Sequence, residues 1–195
     1  MSAPAYTPAG YWERRYRDGR TSGAGSEGDE GTYKADYISK FLADHKVATV
    51  VDWGCGDGQV LAKVKIPRGT KYTGVDVSQT IVDRMKAKFP QYRFFGPSDD
   101  HAWEDAYRMS ISMDVLFHLP DDRDYFEYLD RLFNSAIHHV VIYSTDTPDG
   151  KTARHVFRRK FTEDIAGRFL DWELKATEKP LREGLASFFV YGKVT

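Results

Sequence analysis

The chain predicts an α/β domain, with a mostly parallel sheet, helices on its faces and an antiparallel hairpin at one edge. Three observations carry this. Apolar, β-branched runs of strand length alternate with amphipathic runs of helical length from about position 47 to position 169, the pattern of right-handed crossovers between parallel strands. The first of those runs, Val50-Val51-Asp52-Trp53, opens onto glycines at every second position, Gly54, Gly56 and Gly58. Two further strand-like runs close the chain with no helix between them, which asks for an antiparallel pair. A length of 195 residues suits one such domain.

The elements follow in order. Residues 1–32 open the chain with an aromatic and basic block, Tyr11-Trp12-Glu13-Arg14-Arg15-Tyr16-Arg17, and a Gly/Ser stretch from Gly19 to Gly28. Glycine and serine favour turns, so this stretch reads either as a flexible linker or arm, or as a lid over a pocket. Tyr33, Tyr37, Ile38, Phe41 and Leu42 recur at helical spacing and begin the core, residues 33–195. Strands are expected at Val47–Trp53, Lys71–Val77, Tyr92–Phe95, Ala106–Met113 and Ala136–Ser144. Helices are expected at Gly58–Lys65, at Gln79–Phe89 behind the cap Ser78, at Asp121–Asn134 and at Thr162–Phe169. The closing pair is Trp172–Thr177 and Ser187–Val194.

Composition narrows the function. Charged residues are 29% and hydrophobic residues 41%, with a formal net charge of −1. That balance gives no broad electrostatic footprint for nucleic acid. No run approaches the roughly 20 apolar residues of a membrane span, and no basic segment followed by an apolar one marks a secretory signal. A single cysteine, Cys55, leaves no intrachain disulfide and no cysteine-cluster metal site. The expected location is cytoplasmic, and no metal is expected.

The glycine loop carries the chemistry. Glycines leave room for a ligand to lie against the backbone, and Asp52 just before them can hold a cationic group. A second strand-end acid, Asp76, lies 22 positions after Gly54, the spacing at which an acid meets ribose hydroxyls in nucleotide-binding α/β folds. A dinucleotide fingerprint needs a small residue at position 59, where Gln59 stands. The pattern therefore favours a cationic nucleoside without a pyrophosphate and disfavours a nicotinamide oxidoreductase.

Three blocks in order, Val51-Asp52-Trp53-Gly54-Cys55-Gly56-Asp57-Gly58, Gly74-Val75-Asp76-Val77-Ser78 and Ser112-Met113-Asp114-Val115-Leu116-Phe117-His118-Leu119, resemble the class I S-adenosylmethionine-dependent methyltransferases. The resemblance runs from about Val47 to Val194. It implies a Rossmann-like α/β/α sandwich with seven strands in the order 3-2-1-4-5-7-6, strand 7 antiparallel. It also implies S-adenosylmethionine as cofactor and S-adenosylhomocysteine as product. Asp52, Trp53, Gly54, Cys55 and Gly56, with Gly58, are expected around the methionine part. Asp76 and Val77 are expected at the ribose, Ser98 and Asp99 near the adenine, and Asp114 and Val115 close to the sulfonium. Trp53 replaces a more usual aliphatic residue, and Arg108 stands where an acid often opens the fourth strand. The Tyr-Trp-Glu-Arg-Arg-Tyr and Thr-Ser-Gly-Ala-Gly-Ser blocks also resemble the N-terminus of a subgroup of bacterial methyltransferases. That implies Tyr11, Trp12, Tyr16, Ser22 and Ser26 at the cofactor cover or acceptor site.

Methyl transfer needs the acceptor placed in line, and a hydroxyl or amine acceptor needs somewhere to send a proton. His118, just past the fourth strand, is the leading candidate for base or positioning residue, with His155 and Tyr143 beside it. Arg154, Arg158 and Arg159 belong to a basic run ending at Lys160, which reads either as a solvated face or as a clamp for an anionic acceptor. The expected reaction is methylation of a polar, possibly phosphorylated or sugar-derived small molecule, oxygen favoured as acceptor. A nitrogen acceptor, on a small molecule or macromolecule, and a non-catalytic cofactor-binding protein are the alternatives. No Asn-Pro-Pro-Tyr or Asp-Pro-Pro-Tyr follows the fourth strand, which disfavours DNA amino methylation.

Overall fold

A computed structural model describes residues 6–96, 99, 106–148, 150–153, 155–184 and 186–194. Seven strands form one sheet: β1 (Thr49–Trp53), β2 (Lys71–Val75), β3 (Arg93–Phe95), β4 (Tyr107–Met113), β5 (Ala136–Ser144), β8 (Trp172–Thr177) and β9 (Ser187–Lys193). Their order is β3-β2-β1-β4-β5-β9-β8. The first five run parallel, while β9 is antiparallel to both β5 and β8. Counted within this sheet, that is the expected 3-2-1-4-5-7-6 order. A separate small hairpin, β6 (Gly150–Ala153) with β7 (Val156–Arg158), was not foreseen; it lies in the run read as a basic loop.

Helices cover both faces. On one, α4 (Asp122–Asn134) and α5 (Phe161–Arg168) bury Tyr125, Leu129, Phe161 and Ile165 against Val51, Val140 and Ile142. On the other, α1 (Pro8–Arg17), α2 (Gly28–Asp44) and α3 (Gln79–Lys88) bury Tyr16, Ile38, Leu42, Ile81 and Met85 against Val50, Ile111 and Val141. The central strands are thus covered on both faces, which is why they read as continuous apolar runs, while the edge strand β8 stays exposed from Glu173 to Thr177.

Three elements depart from the sequence expectation. The helix expected at 58–65 is a single helical turn, with Ala62 N bonded to Gly58 O and Val64 N to Val60 O. Pro67 follows closely and pushes Ile66 out of helical conformation, so too few residues remain to propagate a helix. The opening segment is not a featureless arm among the described residues. Thr7 caps α1, with its side chain accepting from Gly10 N and a proline in the first turn, and a 3₁₀ turn spans Ala24–Ser26. The amphipathic helix expected at 33–42 begins earlier, at Gly28, with Asp29 and Glu30 complementing the positive end of its dipole.

Candidate active site

The parallel strands β1, β2 and β4 end along one edge, and the segments just beyond them line a pocket together with α1. Asp52, Gly54 and Gly56 come from the end of β1, Asp76 and Val77 from β2, and Asp114, Val115 and His118 from β4. Trp53 and Cys55 also line it. This is the edge where open α/β sheets bind ligands. Gly54 has φ +82° and lies so close to Val115 that a Cβ would overlap the valine side chain. The floor is bare backbone because no side chain fits.

Two buried carboxylates flank that floor. The Tyr72 hydroxyl donates to Asp52 Oδ2 at 2.8 Å, while Oδ1 is buried with no partner among the described residues. Burial pushes the Asp52 carboxyl up to about 7, the nearby Asp76 adds to the rise, and the Tyr72 bond and Lys34 oppose it. Asp76 accepts from Gly56 N and Ser78 N, each at 3.0 Å. Its carboxyl is pushed up to about 6, again chiefly by burial. An orphaned acceptor oxygen beside a glycine floor asks for a cationic donor; an amino acid ammonium meets that need without displacing any bond already made.

His118 has a defined tautomer. Its Nδ1 lies 2.8 Å from the His155 carbonyl oxygen, which can only accept, so Nδ1 carries the proton and Nε2 holds a lone pair. Burial lowers its pKa below the usual imidazole value. The ring is fixed by Trp12 edge-on at 5.2 Å and by His155 stacked at 5.6 Å.

The N-terminal segment closes the pocket. Trp12, Tyr16 and Ser22 line it. The Glu13 carboxylate accepts from Ser78 Oγ at 2.6 Å and from the Thr80 amide and hydroxyl, bolting α1 onto the start of α3. Ser22 N donates to Asp57 Oδ2 at 2.8 Å, and Ser22 Oγ accepts from Asp57 N at 3.1 Å. Tyr16 shares a bond with Ser22 Oγ at 2.9 Å.

Several expected site residues stand elsewhere. Tyr143 does not line the pocket; its hydroxyl donates to Glu30 at 3.2 Å and its ring is buried under Lys34. His155 contributes its carbonyl to His118, and its ring stacks on Tyr11; Tyr11 stands behind Trp12, outside the lining. Ser26 sits in the 3₁₀ turn, where its carbonyl crowds Gly31. Arg159 is turned inward: it donates to the carbonyls of Leu119 and Pro120, pairs with Asp122 and lies over Tyr125 and Phe157. Its neighbour Lys160 pairs with Asp146, and Arg158 lies on β7. Asp99 accepts from Gly96 N at 3.2 Å, outside the pocket lining. Ser98 and Arg154 fall outside the described residues.

Five residues were not singled out in the sequence. Lys34 is fully buried in α2 and pairs with Asp114. Glu13 and Asp57 tie down the opening segment, and Tyr72 holds Asp52. The Tyr128 hydroxyl donates to the Trp53 carbonyl at 2.8 Å and sits 2.7 Å from Ser112 Oγ, tying α4 to the ends of β1 and β4.

Residues 51–137 match the family model described as "Methyltransferase domain". That stretch holds the glycine loop, Asp76 and Asp114, so most of the pocket lies in a part of the chain that is similar to a methyltransferase domain. Its fold matches the magnesium protoporphyrin IX methyltransferase of Synechocystis PCC 6803 with bound SAM, at 17% identity and TM-score 0.69, covering 99% of this chain and 100% of that one. The methyltransferase domain of bacterial CtHen1-C matches at 16% identity and TM-score 0.66, covering 84% of this chain and 100% of that one. An O-methyltransferase of Bacillus cereus in complex with SAH matches at 9% identity and TM-score 0.64, covering 100% and 94%. No curated protein sequence matches. No helix among the described residues is long and apolar enough to cross a membrane.

Proposed function

We propose that this protein moves the methyl group of S-adenosylmethionine to a hydroxyl of a polar small molecule, with His118 Nε2 taking the proton. The observation that carries the reading is the His118–His155 bond, which leaves an unprotonated imidazole nitrogen at neutral pH on the wall of the cofactor pocket. When bound, the cofactor supplies an electrophilic methyl carbon on a sulfonium. Asp52 Oδ1 would hold its ammonium, Asp76 its ribose hydroxyls, and the Gly54 backbone its body. Trp12 and Tyr16 give the acceptor side an aromatic wall, and the opening segment acts as the lid. An anion clamp is not carried forward, because Arg159 and Lys160 are committed to internal partners; the acceptor is taken as polar without a required charge.

The test starts from S-adenosylhomocysteine production across hydroxylated small molecules. With an active acceptor, His118→Ala should bind cofactor normally and lose about 10²–10⁴ in kcat. The wild-type rate should hold through neutral pH and fall only in acid, below the ordinary imidazole range, as Nε2 becomes protonated. Full turnover by His118→Ala removes the base; no turnover with any hydroxyl but with an amine moves the acceptor to nitrogen.

A further inference from the structure

Lys34 is 1% exposed, on the buried face of α2, and its ammonium meets Asp114 Oδ2. A buried, paired lysine is rarely there for stability, since the desolvation of both charges offsets their attraction. The surroundings are built around the pair. Asp114 holds a left-handed backbone, φ +59°, just past the end of β4. Gly25 covers the pair so closely that a Cβ would sit 3.0 Å from Asp114 Oδ2 and 3.5 Å from Lys34 Nζ. The Tyr143 ring lies 4.8 Å from Nζ, and its hydroxyl bonds to Glu30. Only Oδ2 of Asp114 is taken by the lysine, and Asp114 lines the pocket beside Val115, the residue that touches Gly54. The ammonium therefore lies behind the carboxylate, and the negative end of the pair faces whatever lies on the Gly54 floor.

That position matters because of what the two ligands of this reaction differ in. S-adenosylmethionine and S-adenosylhomocysteine carry the same ammonium, carboxylate and ribose. Their only electrostatic difference is the sulfonium charge, midway between the group expected on Asp52 and the group expected on Asp76, and so over the floor that Asp114 borders. We propose that the Lys34–Asp114 pair reads the charge at sulfur, favouring binding of the sulfonium cofactor over its neutral thioether product. The inference rests on the cofactor reading above. The other titratable groups around the pair are Glu30 from α2, Tyr143 from β5, His118 past β4 and, on the lysine side, Asp52 from β1. Asp52 acts on the shared ammonium, so its titration cancels when the two ligands are compared.

The experiment is calorimetric titration of the full chain with S-adenosylmethionine and S-adenosylhomocysteine separately, without acceptor, reading the ratio of the two dissociation constants. Asp114→Asn should move that ratio toward the thioether by about tenfold. Lys34→Gln, which leaves the carboxylate uncompensated, should move it the other way. If either single variant fails to fold, the double variant Lys34→Gln/Asp114→Asn keeps a neutral hydrogen-bonded pair; it should shift the ratio toward the thioether by less than Asp114→Asn alone. An unchanged ratio in the variants that bind overturns the charge reading and leaves Asp114 a structural or acceptor-side role. Failure of the wild type to bind either nucleoside overturns the cofactor reading instead.

Discussion

Asp52→Asn removes one charge from a buried site and changes little else, so its consequences can be worked through. In the empty protein the carboxyl titrates near 7 instead of 3.8. At about 1.36 kcal/mol per unit, ionising it in place costs about 4 kcal/mol of stability. The sign follows from a raised pKa: the stabilising contribution is complete below about pH 4 and is lost as pH rises through 7. Asp76, titrating near 6, adds a similar loss at lower pH. Without ligand, the wild type should therefore melt lower at about pH 8 than at about pH 6, and Asp52→Asn should flatten most of that difference. Ligand affinity runs the opposite way. An ammonium prefers the ionised carboxylate, so S-adenosylhomocysteine should bind the wild type more tightly as pH rises toward 8 and should release a proton to buffer near pH 6–7. A hydrogen bond to a charged group contributes about 1.5–3 kcal/mol, so Asp52→Asn should weaken binding about 10- to 150-fold at pH 8 and much less at pH 6. Thermal melts across pH and calorimetry in two buffers of different ionisation enthalpy measure both effects. Equal affinity of variant and wild type at pH 8 would refute the assignment of Asp52 Oδ1 to the ligand ammonium.

Two further predictions concern the floor and the lid. Gly54→Ala forces a side chain into a positive-φ position and onto Val115. It should cost at least about 1–2 kcal/mol and abolish the thermal stabilisation given by S-adenosylhomocysteine; retained stabilisation would mean the ligand does not lie on this backbone. Glu13→Ala removes the bonds that hold α1 to Ser78 and Thr80. It should speed protease cleavage before position 28 severalfold while the core melts within a few degrees of wild type. Those same bonds hold the Glu13 carboxyl below its usual range, so the wild-type latch should survive at pH 5 and loosen only in stronger acid.

Much of the scaffold was legible because its signals are local. β5 and β8 begin and end where their apolar and alternating runs do, and Ser78 caps α3 as its side chain requires. The α1 helix was also signalled, by Thr7 before Pro8, but the glycines after it drew the segment into the loop reading. The strand-end acids and His118 could be found because the edge of a parallel sheet is where successive strands deliver their next residues. Lys34 could not be found that way. A lone lysine on an amphipathic helix reads as solvent-facing, and its partner lies 80 positions away, so only the packed fold reveals that it is buried. Arg159 failed in the reverse sense: a basic run looks like a ligand face until the carbonyls of Leu119 and Pro120 claim its donors.

The missing helix after β1 carries its own chemical consequence. A full helix there would aim a macrodipole and a row of free amides at the glycine loop, the device by which nucleotide-binding folds seat phosphate. One turn has little dipole to offer. Two of the amides there are already answered, Asp57 N by Ser22 Oγ at 3.1 Å and Gln59 N by the Asp57 carboxylate at 3.2 Å, and that carboxylate also accepts from Ser22 N at 2.8 Å. An internal anion occupies the seat, so a diphosphate would meet like charge where it needs amides. The loop thus disfavours a dinucleotide through its backbone as well as through its sequence.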